Sequence, residues 1–317
     1  MEKRQQAFTD KSVKMLKGAL HAHTTRSDGV DTPEETIKYH YDRGYDFMML
    51  SDHAVYNFKS DYCPDIPLTI IPGVEIDAEI NVEIGYRPFE ARCMGPIDDL
   101  PFPYKQDQPI SASEKYQTYE EYQAYLDDIH NNGIITCICH PQRSYTYPRH
   151  LEKVKGHFAL EIHNSSSDIE HDLDTDAPFW DELLDHGMKL YGVATDDDEG
   201  YYYSCHAWVR VKAEKNSVRE ILNSLKNGEF YSSCGPEIYD FYVEGNKVVV
   251  ECSDVDRIRI HCAKHPTLIA RNTDGTISRA EFCIDDSYSY VRATVIDKNG
   301  KHAWTNPIFL TDLQGGK

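Results

Sequence analysis

At 317 residues the chain is long enough for one large domain or two modest ones, and 40% hydrophobic residues with 18 Gly and 15 Pro mark a globular protein rather than a disordered one. A formal charge of -20 disfavours nucleic acid as the main ligand, since phosphate backbones attract basic surfaces. Residues 1–6 lead into no apolar run and no stretch nears the roughly 20 apolar residues of a membrane helix, so neither a signal peptide nor a membrane span is expected.

In chain order, short apolar runs end repeatedly in polar residues that carry metal-binding or acid/base chemistry. Gly18-Ala19-Leu20 runs into His21-Ala22-His23. Thr32-Pro33-Glu34-Glu35 then supplies an N-cap, a Pro at the first helical position and a capping-box Glu, predicting a helix to about Arg43 with Gly44 at its end. Residues 47–50 run into Ser51-Asp52-His53, and residues 68–71 into Pro72-Gly73-Val74-Glu75. A second helix is predicted over about 113–132, stopped near Gly133. Residues 134–139 precede His140, and residues 158–162 precede His163-Asn164. A third helix is predicted over about 176–186, before Gly187; residues 190–194 then precede Thr195-Asp196-Asp197-Asp198-Glu199. Ser217-Val218-Arg219-Glu220 opens a fourth helix that ends near Gly228.

Continuous apolar runs rich in β-branched residues read as strands buried on both faces, as in a parallel sheet. Their alternation with helices predicts an α/β fold, whose site is built at the carboxyl ends of the strands. All six polar clusters fall at those ends. After about Tyr231 the pattern changes to short alternating strands around 247–250, 258–261, 281–284 and 291–295, with a turn at 297–301. The reading is therefore an α/β unit over 1–234 and a small all-β, sandwich-like domain over 235–317. Nine cysteines, an odd number without any C-x-x-C, lie partly inside strand-like runs, which reads as reduced thiols in a cytoplasmic protein.

His21-x-His23 on a strand places two imidazoles on one face, within reach of one ion. Asp28, His53, Glu75, His140 and the Asp-rich strand end around Asp197 extend the set. Mixed imidazole and carboxylate ligands favour Zn²⁺, Mn²⁺ or Fe²⁺, and a bridging carboxylate suits two ions about 3.5–4 Å apart. His206, inside an apolar stretch, reads as a core histidine, and the spacing of the remaining histidines, His265 among them, carries no interpretable pattern.

Five ordered motifs, His21-Ala22-His23-Thr24-Thr25-Arg26-Ser27-Asp28-Gly29, Ser51-Asp52-His53, Pro72-Gly73-Val74-Glu75, Cys139-His140-Pro141 and the strand end at Asp197, resemble the PHP (polymerase and histidinol phosphatase) family over about residues 16–212. The resemblance implies a distorted (β/α)7 barrel holding two or three divalent ions (Mn, Zn or Fe), and phosphoesterase activity through a metal-activated water. It implies one ion on His21, His23, Glu75 and Asp197, a second on Glu75 and His140, and a third on Asp28 and His53. Glu199 stands where the family has the histidine of an Asp-x-His motif, with Asp196 an alternative ligand to Asp197 if the register slips by one. Arg92 stands where the family often has a histidine near the end of the fourth strand. An arginine stays protonated and cannot ligate a metal, so either the second ion loses a ligand or another residue supplies one. Arg92 is then a candidate for an anionic group of the substrate or for a salt bridge to a carboxylate. Arg143 is a second candidate for phosphate, or equally a solvated arginine at a helix start, and His163 is a candidate for protonating the leaving group or supporting the site, with simple packing the equal alternative.

The expected partner is a small phosphate ester, a metabolite or nucleotide, or another small ester. The stretch 222–236 followed by a β segment resembles a subgroup acting on non-phosphate esters or carbamates, so a hydrolase of a carboxylic ester, amide or carbamate stays open. So do a catalytically impaired ligand-binding module and a homo-oligomer.

Overall fold

The computed structural model describes residues 2–57, 62–96, 114–262, 267–285 and 287–310. The four helices expected from capping and periodicity form, the second only from Tyr119, because Thr118 caps it there and Glu114–Tyr116 is a strand. Thr32 Oγ1 accepts from the Glu35 N–H at 3.3 Å while the Glu35 carboxylate accepts from the Thr32 N–H at 2.9 Å, so a complete capping box starts the helix Pro33–Tyr41. Thr118 caps Tyr119–Asn131, which buries Tyr122, Leu126 and Ile129 at helical spacing. Trp180, Leu183 and Leu184 form the buried face of Ala177–Asp185. Ser217 caps Val218–Lys226, whose Ile221, Leu222 and Leu225 are fully buried. Among the described residues, no helix is long and apolar enough to cross a membrane.

The apolar runs form two sheets. In one, Tyr191–Thr195, Ala159–Asn164 and Ile135–Ile138 lie parallel, followed by Ala91–Met94 and Gly73–Ile76. Ala91–Met94 runs antiparallel to both of its neighbours, so the purely parallel sheet expected from the apolar runs is corrected to a mixed one. The physical reason is that a run buried on both faces carries no mark of direction. Here the chain leaves Gly73–Ile76 through the antiparallel pair Ala78–Val82 and Gly85–Pro88 instead of a crossover helix.

Among the described residues the second sheet has ten strands. Met15–Ala19, Phe47–Met49 and Thr69–Ile71 are parallel at one end. Trp208–Lys212 and Phe230–Ser233 continue antiparallel, and Phe230–Ser233 then pairs with His302–Thr305 of the C-terminal region, Tyr231 opposite Thr305 and Ser233 opposite Ala303. The ladder runs on through Tyr290–Ile296 and Arg257–His261 to Leu268–Arg271. A four-stranded antiparallel sheet of Glu2–Arg4, Ile238–Glu244, Lys247–Val255 and Ile277–Cys283 packs against this region, and the two share a core containing Phe241, Val248, Val250, Ile258, Ile260 and Val295.

Among the described residues the strands do not close into one barrel. Where Tyr191–Thr195 meets Phe230–Ser233, side chains make the join: the Ala194 N–H donates to Ser232 Oγ at 3.0 Å, Ser232 Oγ donates to the Gly192 carbonyl at 2.8 Å, and the Gly192 N–H donates to Asn306 Oδ1 at 3.0 Å. At the other end, the bridges Ala22 to Asp198 and His53 to Glu75 tie the sheets together where the polar clusters sit. A buried arginine also fastens the C-terminal strands to helix Ala177–Asp185. Arg292 donates from Nε to Asp181 Oδ1 at 2.7 Å and from Nη2 to Oδ2 at 2.5 Å, while its guanidinium lies 4.6 Å from the Trp180 ring centre.

Candidate metal centre

His21 and His23 follow the strand Met15–Ala19, and the His23 N–H donates to the Asp198 carbonyl at 2.8 Å, which sets the histidine pair beside the strand end that carries Asp197. His21 Nε2 lies 2.8 Å from Glu75 Oε2 and 2.9 Å from Asp197 Oδ1; His23 Nε2 lies 3.1 Å from each of the same two oxygens. All four side chains are buried. Asp197 adopts φ +55°, a left-handed conformation that Asp tolerates better than most residues.

Two further groups share members with the first. Asp28 Oδ1 is 3.2 Å from His23 Nδ1, and its Oδ2 is 3.6 Å from His53 Nε2. His140 Nε2 is 3.3 Å from Glu90 Oε2 and 3.6 Å from Glu75 Oε1. The donor atoms within each group lie within 4.8 Å of one another. Glu75 Oε1 is buried without a hydrogen-bond partner among the described residues, while Oε2 faces the first group. Its two oxygens thus look into two different groups. Imidazole nitrogens, carboxylate oxygens and an orphaned buried oxygen between them fit divalent ions.

The electrostatics have the same character. Burial pulls the His21 pKa down, yet Asp197, Glu75 and Glu161 outweigh it and hold it well above the ordinary imidazole value. Burial likewise disfavours charge on His53 and His140, but Asp77 on one and Glu75 on the other raise each to about 9. Glu75 and Asp197 pay a desolvation cost that the histidines reverse, leaving both well below the usual carboxylate range. Protons on the imidazoles balance the carboxylates where a cation would do so.

Residues around the centre orient it. Glu161 Oε1 accepts from His21 Nδ1 at 2.6 Å and from Thr195 Oγ1 at 2.6 Å, and its Oε2 accepts from the His140 N–H at 2.7 Å. Asp77 holds His53 Nδ1 at 2.7 Å, and Ser144 Oγ lies 3.0 Å from His140 Nδ1. Asn164 Nδ2 donates to Asp197 Oδ2 at 3.0 Å. Each of these histidines therefore has its outer nitrogen engaged, which fixes ring orientation.

The structure brings together His21, His23, Asp28, His53, Glu75, His140 and Asp197. It separates Asp197 from Asp196, whose carboxylate accepts the N–H groups of Cys205, His206 and Ala207 and the Ser165 hydroxyl. Arg143 stands at the rim, partly exposed, with Nη1 donating to Asp197 Oδ2 at 2.9 Å. Glu199 is near enough to feel Asp28 and Asp197, but it joins none of the donor groups found among the described residues.

For two candidates with open alternatives, the geometry favours the salt bridge for Arg92 and packing for His163. Arg92 is wholly buried beneath the centre: Nη1 donates to the Leu20 carbonyl at 2.7 Å and Nη2 lies 3.0 Å from Glu161 Oε1 and 3.1 Å from Cys137 Sγ, so it is an internal ion pair rather than a contact for substrate. His163 points away, its Nδ1 donating to the Asp174 carbonyl at 2.8 Å and its ring stacked on Trp304, and burial lowers its pKa. It is a packed histidine rather than an acid for the leaving group. His206, read as a core residue, is exposed, and His265 lies outside the described residues. Glu161, Glu90, Asp77 and Asn164 escaped the reading. Glu161 and Asn164 flank His163 in an apolar run, and the i, i+2 alternation Glu90-x-Arg92 was the available signal for Glu90.

No family model matches the sequence, and no curated protein does. Solved structures similar to the chain include a two-domain protein from Bacteroides vulgatus containing a predicted PHP-like metal-dependent phosphoesterase, at 14% identity and TM-score 0.47 over 93% of this chain and 96% of that one. An amidohydrolase from Chromobacterium violaceum, with bound sulfate and no metal, matches at 16% identity and TM-score 0.39, over 57% of this chain and 87% of its own. A predicted metal-dependent phosphoesterase from Bifidobacterium adolescentis matches at 14% identity and TM-score 0.40, over 58% and 87%. The five motifs that resemble the PHP family bring their His, Asp and Glu side chains to one place in this chain, with His21, His23, Glu75, His140 and Asp197 buried and Asp28 and His53 at its edge.

Proposed function

We propose that the chain is a metal-dependent hydrolase of small phosphate esters, its ions held by His21, His23, Glu75 and Asp197, with Asp28, His53 and His140 extending the site. The observation that carries this reading is Glu75, a buried carboxylate with one oxygen against His21 and His23 and the other orphaned toward His140. On this reading the two sheets are the walls of a distorted seven-stranded barrel, followed by a small β domain from about residue 235. The metals fitting the donors are Mn²⁺, Zn²⁺ or Fe²⁺.

When bound, divalent ions supply Lewis acidity and make a water acidic enough to act as nucleophile near neutral pH. The chain's own groups do the rest. Glu161 accepts a hydrogen bond from His21 Nδ1–H, which fixes the ring so that Nε2, facing Glu75 and Asp197, would be the nitrogen offered to an ion once it has lost its proton. Asp77 does the same for His53. Arg143, partly open to solvent beside Asp197, offers a planar guanidinium that matches two phosphate oxygens and favours an anionic ester over a neutral one.

The test is phosphate release by Mn²⁺-loaded protein from sugar phosphates, mononucleotides and cyclic nucleotides, with Arg143→Gln beside wild type. Release from one class, with kcat/KM reduced roughly 10–100-fold in Arg143→Gln at unchanged metal content, supports the reading. Silence across the panel by protein shown to carry metal overturns it in favour of carboxylic ester, amide or carbamate hydrolysis.

A further inference from the structure

We infer that Glu90 is a ligand of a second divalent ion, together with Glu75 and His140, and that Arg92 serves as the fixed countercharge one layer below. This rests on the reading that the centre holds divalent ions.

Glu90 immediately precedes the strand Ala91–Met94, and its carbonyl accepts the Cys139 N–H at 3.1 Å, which pins it beside the residue before His140. Its Oε2 then reaches to 3.3 Å from His140 Nε2. The same nitrogen lies 3.6 Å from Glu75 Oε1, beyond hydrogen-bond length, and that oxygen is fully buried with no partner among the described residues. A buried carboxylate oxygen is costly to leave unsatisfied. A cation between Glu75, Glu90 and His140 satisfies it with three donors already in place.

Arg92 accounts for the remainder. Residues 90 and 92 share a face of the sheet by strand alternation. In the ladder Arg92 pairs with Glu75 itself, and its guanidinium is taken up by the Leu20 carbonyl, Glu161 and Cys137. The position one layer further out belongs to Glu90, whose side chain is 23% exposed and so reachable by an exchanging ion. Two carboxylates and one imidazole make this a harder set than the His21, His23, Glu75 and Asp197 group, which contains two imidazoles. The Glu90 position therefore discriminates less in favour of Zn²⁺ and suits Mn²⁺ better than the first.

The experiment counts bound metal rather than turnover. Metal-free wild type, Glu90→Gln and Glu90→His are dialysed against Mn²⁺ or Zn²⁺, and bound equivalents are measured by elemental analysis, with circular dichroism confirming the fold. Glu90→Gln is expected to hold one Mn²⁺ equivalent fewer than wild type, or to bind its weakest ion more than about 100-fold less tightly, beyond the loss that follows removal of an outer hydrogen-bond partner. Glu90→His is expected to regain that equivalent with a preference moved toward Zn²⁺. Full equivalents at unchanged affinity in Glu90→Gln overturn the assignment while leaving the proposed function standing. If Glu90→Gln fails to fold, an unmoved Zn²⁺ to Mn²⁺ preference in Glu90→His overturns it instead. Wild type that binds no divalent ion overturns this inference and the proposed function together.

Discussion

Glu161 Oε1 lies 2.6 Å from Nδ1 of His21, with both side chains wholly out of solvent. The same carboxylate faces Arg92 at 3.0 Å, so one group both sets the His21 tautomer and neutralises a buried guanidinium. Glu161→Gln is expected to weaken metal binding by about 10–100-fold. It should also cost about 3–5 kcal/mol, because Arg92 is left as an uncompensated buried charge. Metal titration and urea denaturation read the two effects separately, and unchanged metal affinity would show that Glu161 serves the fold alone.

Asp196 and Asp197 are neighbours with opposite duties. Asp197→Asn is expected to empty the His21, His23 and Glu75 group and to abolish hydrolysis in a fold of near-normal stability. Asp196→Asn replaces an acceptor of three backbone N–H groups, so it should cost about 1–3 kcal/mol in denaturation while leaving metal content unchanged. The reverse pattern would move the ligand to Asp196.

How much of this was legible follows from the kind of signal each residue leaves. Most candidate ligand positions could be read because they close apolar runs, Asp28 because it stands five residues after the His21-x-His23 pair, and the helix Pro33–Tyr41 because its capping box is local. The C-terminal strands Arg257–His261 and Tyr290–Ile296 likewise match alternating segments in the sequence. The direction of Ala91–Met94 could not be read, since four buried residues in a row look the same in either direction. The fate of Arg92 was equally hidden, because its partner Glu161 is 69 positions away in a run that otherwise reads as plain strand.

Acid should destabilise the fold through His40. Its Nδ1 donates to the Thr36 carbonyl at 2.9 Å, and burial pushes its pKa down to about 4. A folded pKa below the ordinary value near 6.5 means the neutral ring contributes its full stability above pH 6.5 and loses it as pH falls toward 4. The loss at pH 4 is roughly 3 kcal/mol. Urea melts of wild type and His40→Gln at pH 7.5 and 5 should show wild type losing more, or gaining less, stability on acidification than the variant; equal slopes assign the effect elsewhere. In metal-free protein His53 and His140 act with the opposite sign. Each is raised to about 9, so their contribution is complete below pH 6.5 and fades as pH rises through 9.

Asp181→Ala should strip Arg292 of its bidentate partner. Asp181 also lies 3.2 Å from His261 Nδ1 and 3.1 Å from the Tyr290 hydroxyl, so three C-terminal residues converge on one helical carboxylate. The expected cost is about 3–5 kcal/mol by chemical denaturation. A change below 1 kcal/mol would mean that water replaces the carboxylate readily at this junction.

The ladder between Phe230–Ser233 and His302–Thr305 has a practical consequence for anyone dividing the chain. A fragment ending near residue 235 would keep the candidate metal ligands yet expose the outer N–H and C=O groups of a buried strand. Bare edges of this kind recruit other chains. The C-terminal strands cover that edge, so a truncated form should gather in oligomers even where the candidate centre is intact.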